Sequence, residues 1–245
     1  MKTQFIGHRV LHYPRLRSTM DIARREARKG AAEGTVVLAD KQAAGRGRLG
    51  RAWLAPPGNI ALSIILRPSA AHLPGLIMVA SLAAVHTIEE VTGLRPQVKW
   101  PNDVLIQGKK VCGILVEGEL RGGAVEHAII GIGMNIKLDP SAYPEISATA
   151  TSLSAELGRE VSRLDVIDRL LVELERLYIA FKAGEPVYRE WRSRLETLGR
   201  SVTVKWGDGV EQGVAESVDE DGGLLLRRSD GVLVRVVAGD VSLRS

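Results

Sequence analysis

The alternation of apolar and polar positions along the chain predicts short strands joined by tight turns and interrupted by a few amphipathic helices. Strands are predicted at 9–13, 35–40 and 59–67, on both sides of Pro101, and at 110–120 and 124–136. Tight turns at 108–109 and 121–123 connect the last strands. Strands that follow one another in this way are typical of a mixed or antiparallel sheet. The predicted fold class is α+β, a mixed β-sheet with helices packed on one face.

Helical spacing of apolar residues is found in four segments. In the first, at 18–30, Ser18 and Asp21 have the spacing of a capping box, and Gly30 marks the end. The residues of this helix that are expected to face the core are Met20, Ala23 and Ala27. The other helices are predicted at 76–91, at 164–181 with an apolar stripe from Leu164 to Phe181, and within 186–197.

The sequence changes character at Gly199, where short alternating strands separated by Gly and Asp turns begin. The segment is too small for a β-sandwich, and its pattern predicts a five-stranded SH3-like β-barrel. Two domains are therefore expected, a larger one at 1–197 and a small C-terminal one at 198–245.

The excess of positive charge is local. The chain is 45% hydrophobic with a net charge of +4, yet residues 41–51 carry four Lys or Arg side chains and no acidic one. This concentration favours a site for an anion over a surface that wraps nucleic acid. The single cysteine, Cys112, excludes an internal disulfide and a zinc site built from several cysteines. Because neither a signal peptide nor a membrane-spanning stretch is recognisable, a cytoplasmic location without membrane attachment is expected.

Residues 45–51, "GRGRLGR", form the centre of this segment and are called the basic loop below. They fit the G-x-G-x-x-G dinucleotide motif, but Pro56, Pro57 and Gly58 prevent the helix that must follow it. A protein-kinase loop is disfavoured because the chain contains no H-R-D or D-F-G sequence. A solvated surface loop is the simplest alternative. Three arginines without an acidic neighbour in the sequence favour an external anionic partner instead.

Two further segments carry candidate chemistry. In "KWPND", Lys99, Asn102 and Asp103 surround a proline bend, which is typical either of a turn or of a magnesium–phosphate site. In "GIGMN", Gly131 and Gly133 lie one residue apart within a strand, which indicates either a bulge or a ligand close to the backbone.

Taken in order, these motifs resemble one family. "KQAAGRGRLGRAW", "KWPNDVLIQGKKVCGILVE" and "GIGMNI" resemble the corresponding segments of the biotin–protein ligases (biotin–[acetyl-CoA-carboxylase] ligases), and the resemblance runs from about residue 8 to the C-terminus. It implies a class II synthetase-like catalytic domain. It also implies that biotin and ATP, with Mg²⁺, form biotinyl-5′-AMP and pyrophosphate. The biotinyl group then passes to one lysine of a biotin carboxyl carrier protein domain.

The resemblance implies roles for individual residues. Arg48, Lys110 and Asp103 are the expected catalytic residues, with Asp103 orienting or deprotonating the acceptor lysine. Asn102 and Asp103 are the expected magnesium ligands. The expected biotin-binding residues are Ser18, Thr19, Gln42, Gly45, Arg46, Arg48, Trp53, Lys110, Gly113, Gly131 and Gly133. The expected ATP-binding residues are Arg46, Arg48, Arg51, Trp53, Lys99, Asn102, Lys110 and Asn135.

Two features differ from common family members. Met20 stands where the family often has an asparagine after Ser-Thr, and this removes a hydrogen-bonding group beside the biotin ureido ring. The catalytic pattern begins almost at Met1, so neither a winged helix nor sequence-specific DNA binding is expected. The family includes dimers, and either a monomer or a homodimer is compatible with the motifs.

Two alternative functions stay open at this point. A lipoate or octanoate ligase or transferase of the same superfamily would share the fold, but an apolar acyl chain does not need the hydroxyls of Ser18 and Thr19 or the amide of Gln42. A non-enzymatic RNA-binding module is disfavoured, because such modules usually stack bases on aromatic side chains and only 4% of the residues are aromatic.

Overall fold

A seven-stranded mixed sheet is the framework of the larger part of the chain. The computed structural model describes residues 3–206, 209–237 and 239–243. The strands of this sheet are β1 (Val10–Tyr13), β2 (Val36–Ala39), β5 (Ile60–Leu66), β6 (Gln97–Lys99), β7 (Asp103–Ile106), β8 (Lys109–Arg121) and β9 (Ala124–Met134). Their spatial order is β1-β2-β5-β9-β8-β7-β6. Because β1 and β2 run parallel and the other neighbours antiparallel, the predicted mixed sheet is confirmed.

Most of the helices pack on one face of this sheet, as predicted. They are α2 (Leu76–Thr92), α3 (Leu153–Leu157), α4 (Arg163–Lys182) and α5 (Val187–Ser193), and their buried residues share one hydrophobic cluster with the even-numbered residues of β5, such as Ile64. Helix α1 (Thr19–Arg28) is the exception, since it packs on the opposite face against odd-numbered residues such as Ile65. Successive strand residues point to opposite faces, so β5 contributes to both cores. No helix in the described ranges combines the length and the apolar composition needed to cross a membrane.

Helix α1 begins differently from the prediction. Ser18 is its N-cap with extended backbone angles (φ −152°, ψ 133°), but the side chain makes no capping hydrogen bond. The carboxylate of Asp21 contacts Arg46 at 2.6 Å and Arg24 at 3.3 Å. The predicted capping box is therefore wrong, because Asp21 pairs with guanidinium groups and not with the start of the helix. The helix ends before Gly30, which has a φ of 85°, as predicted.

The sequence patterns also included one exposed residue in a helix face and missed one hairpin. Leu164 begins the predicted stripe of α4 but is 68% exposed. The buried apolar face of α4 is formed by Val166, Ile167, Leu170, Leu171, Leu174, Leu177 and Tyr178. The basic loop is the connection of a hairpin between β3 (Gln42–Arg46) and β4 (Ala52–Ala55). Strand β3 escaped prediction because Gln, Ala, Gly and Arg have little intrinsic preference for strands.

A five-stranded antiparallel sheet forms the C-terminal part. Its strands are β10 (Ser201–Trp206), β11 (Gly209–Val218), β12 (Leu224–Arg227), β13 (Leu233–Val236) and β14 (Asp240–Leu243). They lie in the order β13-β12-β11-β10-β14, so the five predicted strands are present. Among the residues that the structure describes, the edge strands β13 and β14 are not hydrogen-bonded to each other, so the strands form an open antiparallel sheet and the SH3-like barrel stays a prediction.

The C-terminal sheet is continuous with the main hydrophobic core. Its inward residues, such as Leu224, belong to the same buried cluster as the residues of α2 and α5. The indole N–H of Trp100 donates to the carbonyl of Gly222 at 2.9 Å, and the backbone N–H of Trp100 donates to Thr197 Oγ1 at 3.0 Å. The predicted division between residues 197 and 198 falls between α5 and β10, and it stays a prediction because one core spans both sides.

A buried carboxylate anchors the N-terminal segment to α4. Glu175 is 4% exposed and accepts hydrogen bonds from the backbone N–H groups of Gln4 (2.5 Å), Phe5 (2.8 Å) and Ile6 (2.7 Å). Hydrogen bonds to a charged acceptor are about twice as strong as neutral ones. The three bonds hold Ile6 in the main core, so Glu175 ties the start of the described chain to the helical layer.

Replacing Glu175 with alanine should lower the free energy of unfolding by about 3 kcal/mol, because three backbone N–H donors lose a buried, charged acceptor. Urea denaturation followed by circular dichroism measures this change. Asp168→Ala, on the exposed side of the same helix, is the matched control and should stay within about 0.5 kcal/mol of the wild type. Equal losses in the two variants would contradict the anchoring role.

Candidate active site

The floor of the candidate site is a glycine-rich area on the α1 face of the main sheet. One row of cross-strand neighbours consists of Asp103, Gly113, Gly133 and Ala61. The adjacent row consists of Leu115, Gly131, Ser63 and Val37. The rows are two residues apart along each strand, a separation of about 7 Å. Three of these eight positions, Gly113, Gly131 and Gly133, are glycines, and there the strand backbone carries no side chain.

Side chains from other elements lie directly on the bare backbone. A Cβ placed on Gly133 would be 2.2 Å from Trp53 Cε2, and one on Gly113 would be 2.8 Å from Trp53 Cζ3. A Cβ on Gly131 would be 2.6 Å from Met20 Sδ. Strand β9 pairs with both neighbours without a register shift at its glycines, so the bulge alternative is wrong. These positions are glycine because an indole and a thioether approach the backbone more closely than any side chain permits.

The β3–β4 hairpin positions the polar residues of the site. The segment before α1 runs alongside β3, with Ala43 N–H donating to Leu16 O and Ala44 N–H donating to Arg17 O, each at 2.9 Å. This pairing places the start of α1 beside Gln42, the first residue of β3. Residues that are more than twenty positions apart in the sequence therefore meet at one end of the cleft.

That end of the cleft is polar and uncharged. The side-chain oxygen of Gln42 accepts hydrogen bonds from the backbone N–H of Thr19 at 2.7 Å and from its hydroxyl at 3.1 Å. The hydroxyl of Ser18 is buried and has no hydrogen-bond partner among the described residues. Because a buried polar group without a partner is costly, the Ser18 hydroxyl is available to a bound molecule.

The other end is cationic. Lys110 Nζ lies 2.7 Å from Asp103 Oδ1 and 5.3 Å from the centre of the Trp53 ring. Arg48 Nη1 donates to Asn102 Oδ1 and to the backbone carbonyl of Gly239, both at 3.2 Å. Asn102 is fixed in turn by a 2.8 Å hydrogen bond to a β8 carbonyl. The C-terminal part thus contributes directly to this end of the cleft.

The arginines of the basic loop acquire acidic neighbours in the folded chain. Arg46 pairs with Asp21 of α1 at 2.6 Å, and Arg51 pairs with Asp240 of β14. Two of the three loop arginines, which have no acidic neighbour within residues 41–51, thus have one in the folded chain. Arg48 differs from the others, because no carboxylate of the described part of the chain lies within 4 Å of its guanidinium.

Burial lowers the pKa of the Arg48 guanidinium, whereas the negative charges of Asp240 and Asp103 raise it and the charge of Arg51 lowers it. A guanidinium stays protonated at neutral pH despite such influences. Arg48 is therefore a partly buried, permanent positive charge in the cleft that is not paired with a carboxylate of the described residues.

The predicted magnesium ligands do not fit a resident metal ion. Asn102 Oδ1 accepts a hydrogen bond from Arg48, and Asp103 Oδ1 faces the ammonium group of Lys110. Both oxygens thus already neighbour cationic groups. No group of three or more His, Cys, Asp or Glu side chains suited to a metal occurs within 3–206, 209–237 and 239–243. A magnesium ion held by nucleotide phosphates and water, the usual arrangement for this ion, is compatible with the cleft.

Most of the predicted site residues line this single cleft. They are Ser18, Thr19, Gln42, Arg46, Arg48, Arg51, Trp53, Asn102, Asp103, Lys110, Gly113, Gly131 and Gly133. Gly45, Lys99 and Asn135 do not line it. Gly45 packs against the backbone of Trp53, and the amide of Asn135 is buried and donates to Thr151 O at 2.9 Å. The ligand contacts expected for these three residues stay predictions.

Three residues that shape the site were not predicted from the sequence to belong to it. Asp21 and Asp240 pair with the basic loop, and the hydroxyl of Ser63 donates to Thr19 Oγ1 at 2.8 Å. Asp240 comes from the opposite end of the chain. Ser63 stands within an apolar strand, and the only sequence signal is one hydroxyl among buried aliphatic residues.

The fold and the cleft define a class of enzyme that activates an acid with a nucleotide. Residues 12–135 match the biotin/lipoate A/B protein ligase family, and residues 197–244 match the biotin protein ligase C-terminal domain. The chain belongs to this family.

Individual relatives are similar over nearly the whole chain. The bifunctional ligase/repressor BirA of Bacillus subtilis is 36% identical over 249 residues, which cover 99% of this chain and 76% of that protein. The biotin–[acetyl-CoA-carboxylase] ligase of Mycobacterium tuberculosis is 34% identical, covering 90% of this chain and 83% of that one. The biotin protein ligase of Aquifex aeolicus, solved in complex with biotin and ATP, superimposes with a TM-score of 0.82 at 31% identity and covers 97% of this chain and 99% of its own.

Gly133→Ala should destabilise the protein by about 1–3 kcal/mol, because the added methyl group overlaps the Trp53 ring and forces it off the floor. Thermal unfolding measures the loss, and the exposure of Trp53 to iodide quenching should increase. Gly47→Ala is the control: its Cβ meets nothing closer than 3.6 Å, and its stability should change by no more than about 0.5 kcal/mol. A Gly133→Ala protein with unchanged stability and quenching would contradict the packing described here.

Proposed function

We propose that the chain is a biotin–protein ligase that joins biotin to a protein lysine in two steps. In the first step, a biotin carboxylate oxygen attacks the α-phosphorus of ATP, the bond to the β-phosphate breaks, and biotinyl-5′-AMP and pyrophosphate form. In the second step, the amine of an acceptor lysine attacks the acyl carbon, AMP leaves, and the amide forms with loss of a proton. The acceptor is a lysine of a biotin carboxyl carrier protein domain.

The observation that carries this proposal is the division of one cleft into a neutral polar end and a cationic end. Ser18, Thr19 and Gln42 offer hydrogen bonds without charge, which suits a ureido group. At the other end of the same cleft, Arg48 and Lys110 offer positive charge, which suits a carboxylate and phosphates. A molecule with a neutral polar head and a carboxylate tail, activated by a nucleotide, matches both ends.

The first step brings two anions together, and the cationic end lowers the cost of this approach. Prearranged positive charge stabilises the charge that accumulates between the carboxylate and the α-phosphate. Arg48 suits this role because its planar guanidinium can bind two oxygens at once and is not paired with a carboxylate of the described residues. Lys110 adds a second charge beside Gly113, where the floor has no side chain.

The second step requires removal of a proton from the attacking amine. Asp103 lies at the cationic end, as does Asp240, which pairs with Arg51. The Oδ1 of Asp103 is buried and, apart from the ammonium group of Lys110 beside it, has no partner among the described residues. A carboxylate in this position can orient the acceptor amine and accept its proton. We assign this role to Asp103, with Lys110 released from it once the adenylate occupies the cleft.

Magnesium bound with the nucleotide would offset part of the phosphate charge and would need no resident protein site. Arg46 and Arg51 are held by Asp21 and Asp240 in this structure, and the phosphates of ATP can replace these carboxylates. A lipoate or octanoate ligase is the alternative within the family. It is disfavoured because an apolar acyl chain would leave the Ser18 hydroxyl and the Gln42 amide buried without partners.

ATP–pyrophosphate exchange with magnesium tests the proposal directly. Biotin, lipoate and octanoate are compared in parallel, and exchange is expected with biotin alone, since only biotin satisfies the polar end. Exchange with lipoate or octanoate but not with biotin would favour the alternative, a lipoate or octanoate ligase. A folded protein without exchange for any of the three acids would contradict the proposed adenylation.

Separate assays of the two steps test the assigned residues. Arg48→Ala and Lys110→Ala should each slow adenylate formation on the order of ten- to a hundredfold, because each removes a charge that contacts the reacting anions. Asp103→Asn should form the adenylate but transfer it poorly to the carrier domain. Lys109→Ala, at the exposed neighbour of Lys110, should behave like the wild type. Equal loss of both steps in Asp103→Asn would contradict its role in transfer.

A further inference from the structure

We propose that Ser63 is a positioning residue for biotin recognition. Its buried hydroxyl holds the hydroxyl of Thr19, and Thr19 holds the Gln42 side chain so that the amide nitrogen faces the biotin ureido oxygen. This inference rests on the proposed function and adds a specificity-determining residue that is buried in the floor of the site and does not itself line the cleft.

Ser63 is the middle residue of β5 and is 0% exposed. Its strand neighbours are Val37 on β2 and Gly131 on β9, and its surroundings on this face are the apolar residues packed under α1. Burying a hydroxyl in such surroundings costs free energy unless it is hydrogen-bonded. Its side-chain partner in the described structure is Thr19 Oγ1 at 2.8 Å.

The direction of each hydrogen bond follows from one fixed donor. The backbone N–H of Thr19 can only donate, so the Gln42 atom 2.7 Å from it is the oxygen. The Thr19 hydroxyl, 3.1 Å from the same oxygen, must then donate its single proton to Gln42. Its remaining interaction with Ser63 is therefore as an acceptor, and Ser63 is the donor. The hydrogen bonds are therefore donated in one direction, from Ser63 to Thr19 and from Thr19 to Gln42.

This series of hydrogen bonds determines which hydrogen-bonding groups the cleft presents to a bound molecule. The Gln42 oxygen already accepts two hydrogen bonds, so the amide cannot turn without losing both. Its nitrogen lies 2.9 Å from where a Cβ on Gly45 would be, and Gln42 itself lines the cleft. The polar end thus presents an N–H donor, together with the unpartnered hydroxyl of Ser18. An N–H donor matches a ureido carbonyl oxygen, which lipoate and octanoate lack.

The test compares Ser63→Ala with the wild type in biotin-dependent ATP–pyrophosphate exchange. Loss of one buried hydrogen bond that orients the site should raise the KM for biotin about five- to tenfold. The kcat and the KM for ATP should change less than about twofold, because Ser63 touches neither the cationic end nor the nucleotide. Ser63→Cys, which keeps the shape and a weak donor, should give an intermediate KM.

A second buried hydroxyl provides the control for a purely structural effect. Thr35 lies at the start of β2, is as buried as Ser63, and donates to Ala32 O at 2.8 Å. Thr35→Ala should lose similar stability and leave the KM for biotin unchanged. In the Thr19→Val variant, the further substitution Ser63→Ala should raise the KM for biotin by less than about twofold. The two effects are not additive because Ser63 acts through Thr19.

The outcomes separate this inference from the function on which it rests. If the wild-type protein shows no biotin-dependent exchange, the proposed function fails. If the wild type uses biotin and Ser63→Ala retains its KM, the function stands and the role of Ser63 is refuted. A drop in kcat with an unchanged KM, or equal effects in Ser63→Ala and Thr35→Ala, would also refute it.

Discussion

The close approach of Trp53 and Met20 to bare strand backbone is the constraint on which the site depends. Gly113, Gly131 and Gly133 leave room for these two side chains, and any Cβ would lie within 2.8 Å of them. The β3–β4 hairpin can therefore settle on the sheet and bring the basic loop over it. With larger residues at these positions the hairpin would be held away from the sheet, and the polar and cationic groups would not share one cleft.

Charge compensation is the second organising feature. Arg46, Arg51 and Lys110 are each paired with an aspartate, and these aspartates come from α1, β14 and β7. Such pairs reduce the cost of collecting cations in a partly enclosed space. They also hold the side chains near the places where phosphate and carboxylate oxygens are expected to bind. The substrate anions then exchange with carboxylates, and little rearrangement of the protein is needed when charge develops.

Much of the fold could be predicted from local patterns. Strands β1, β2, β5, β8 and β9 and helices α1, α2 and α4 follow the apolar periodicity of the sequence, since that periodicity reflects which residues face a core. The errors have identifiable physical causes. Asp21 pairs with Arg46 and leaves the capping box unformed, Leu164 lies in the first turn of α4 before its buried face begins at Val166, and β3 consists of residues with little strand preference.

The sequence by itself determined the residue types of the chemistry and the order of the motifs that carry them, because both are properties of the linear chain. Only the tertiary structure decided that Asp240 closes the cleft from the C-terminal sheet, that Asn135 points away from it, and that Ser63 supports Thr19. The physical reason is that hydrogen bonds and ion pairs act over a few ångströms in space. Their partners are chosen by the way strands and helices pack, and residues far apart in the sequence meet only there.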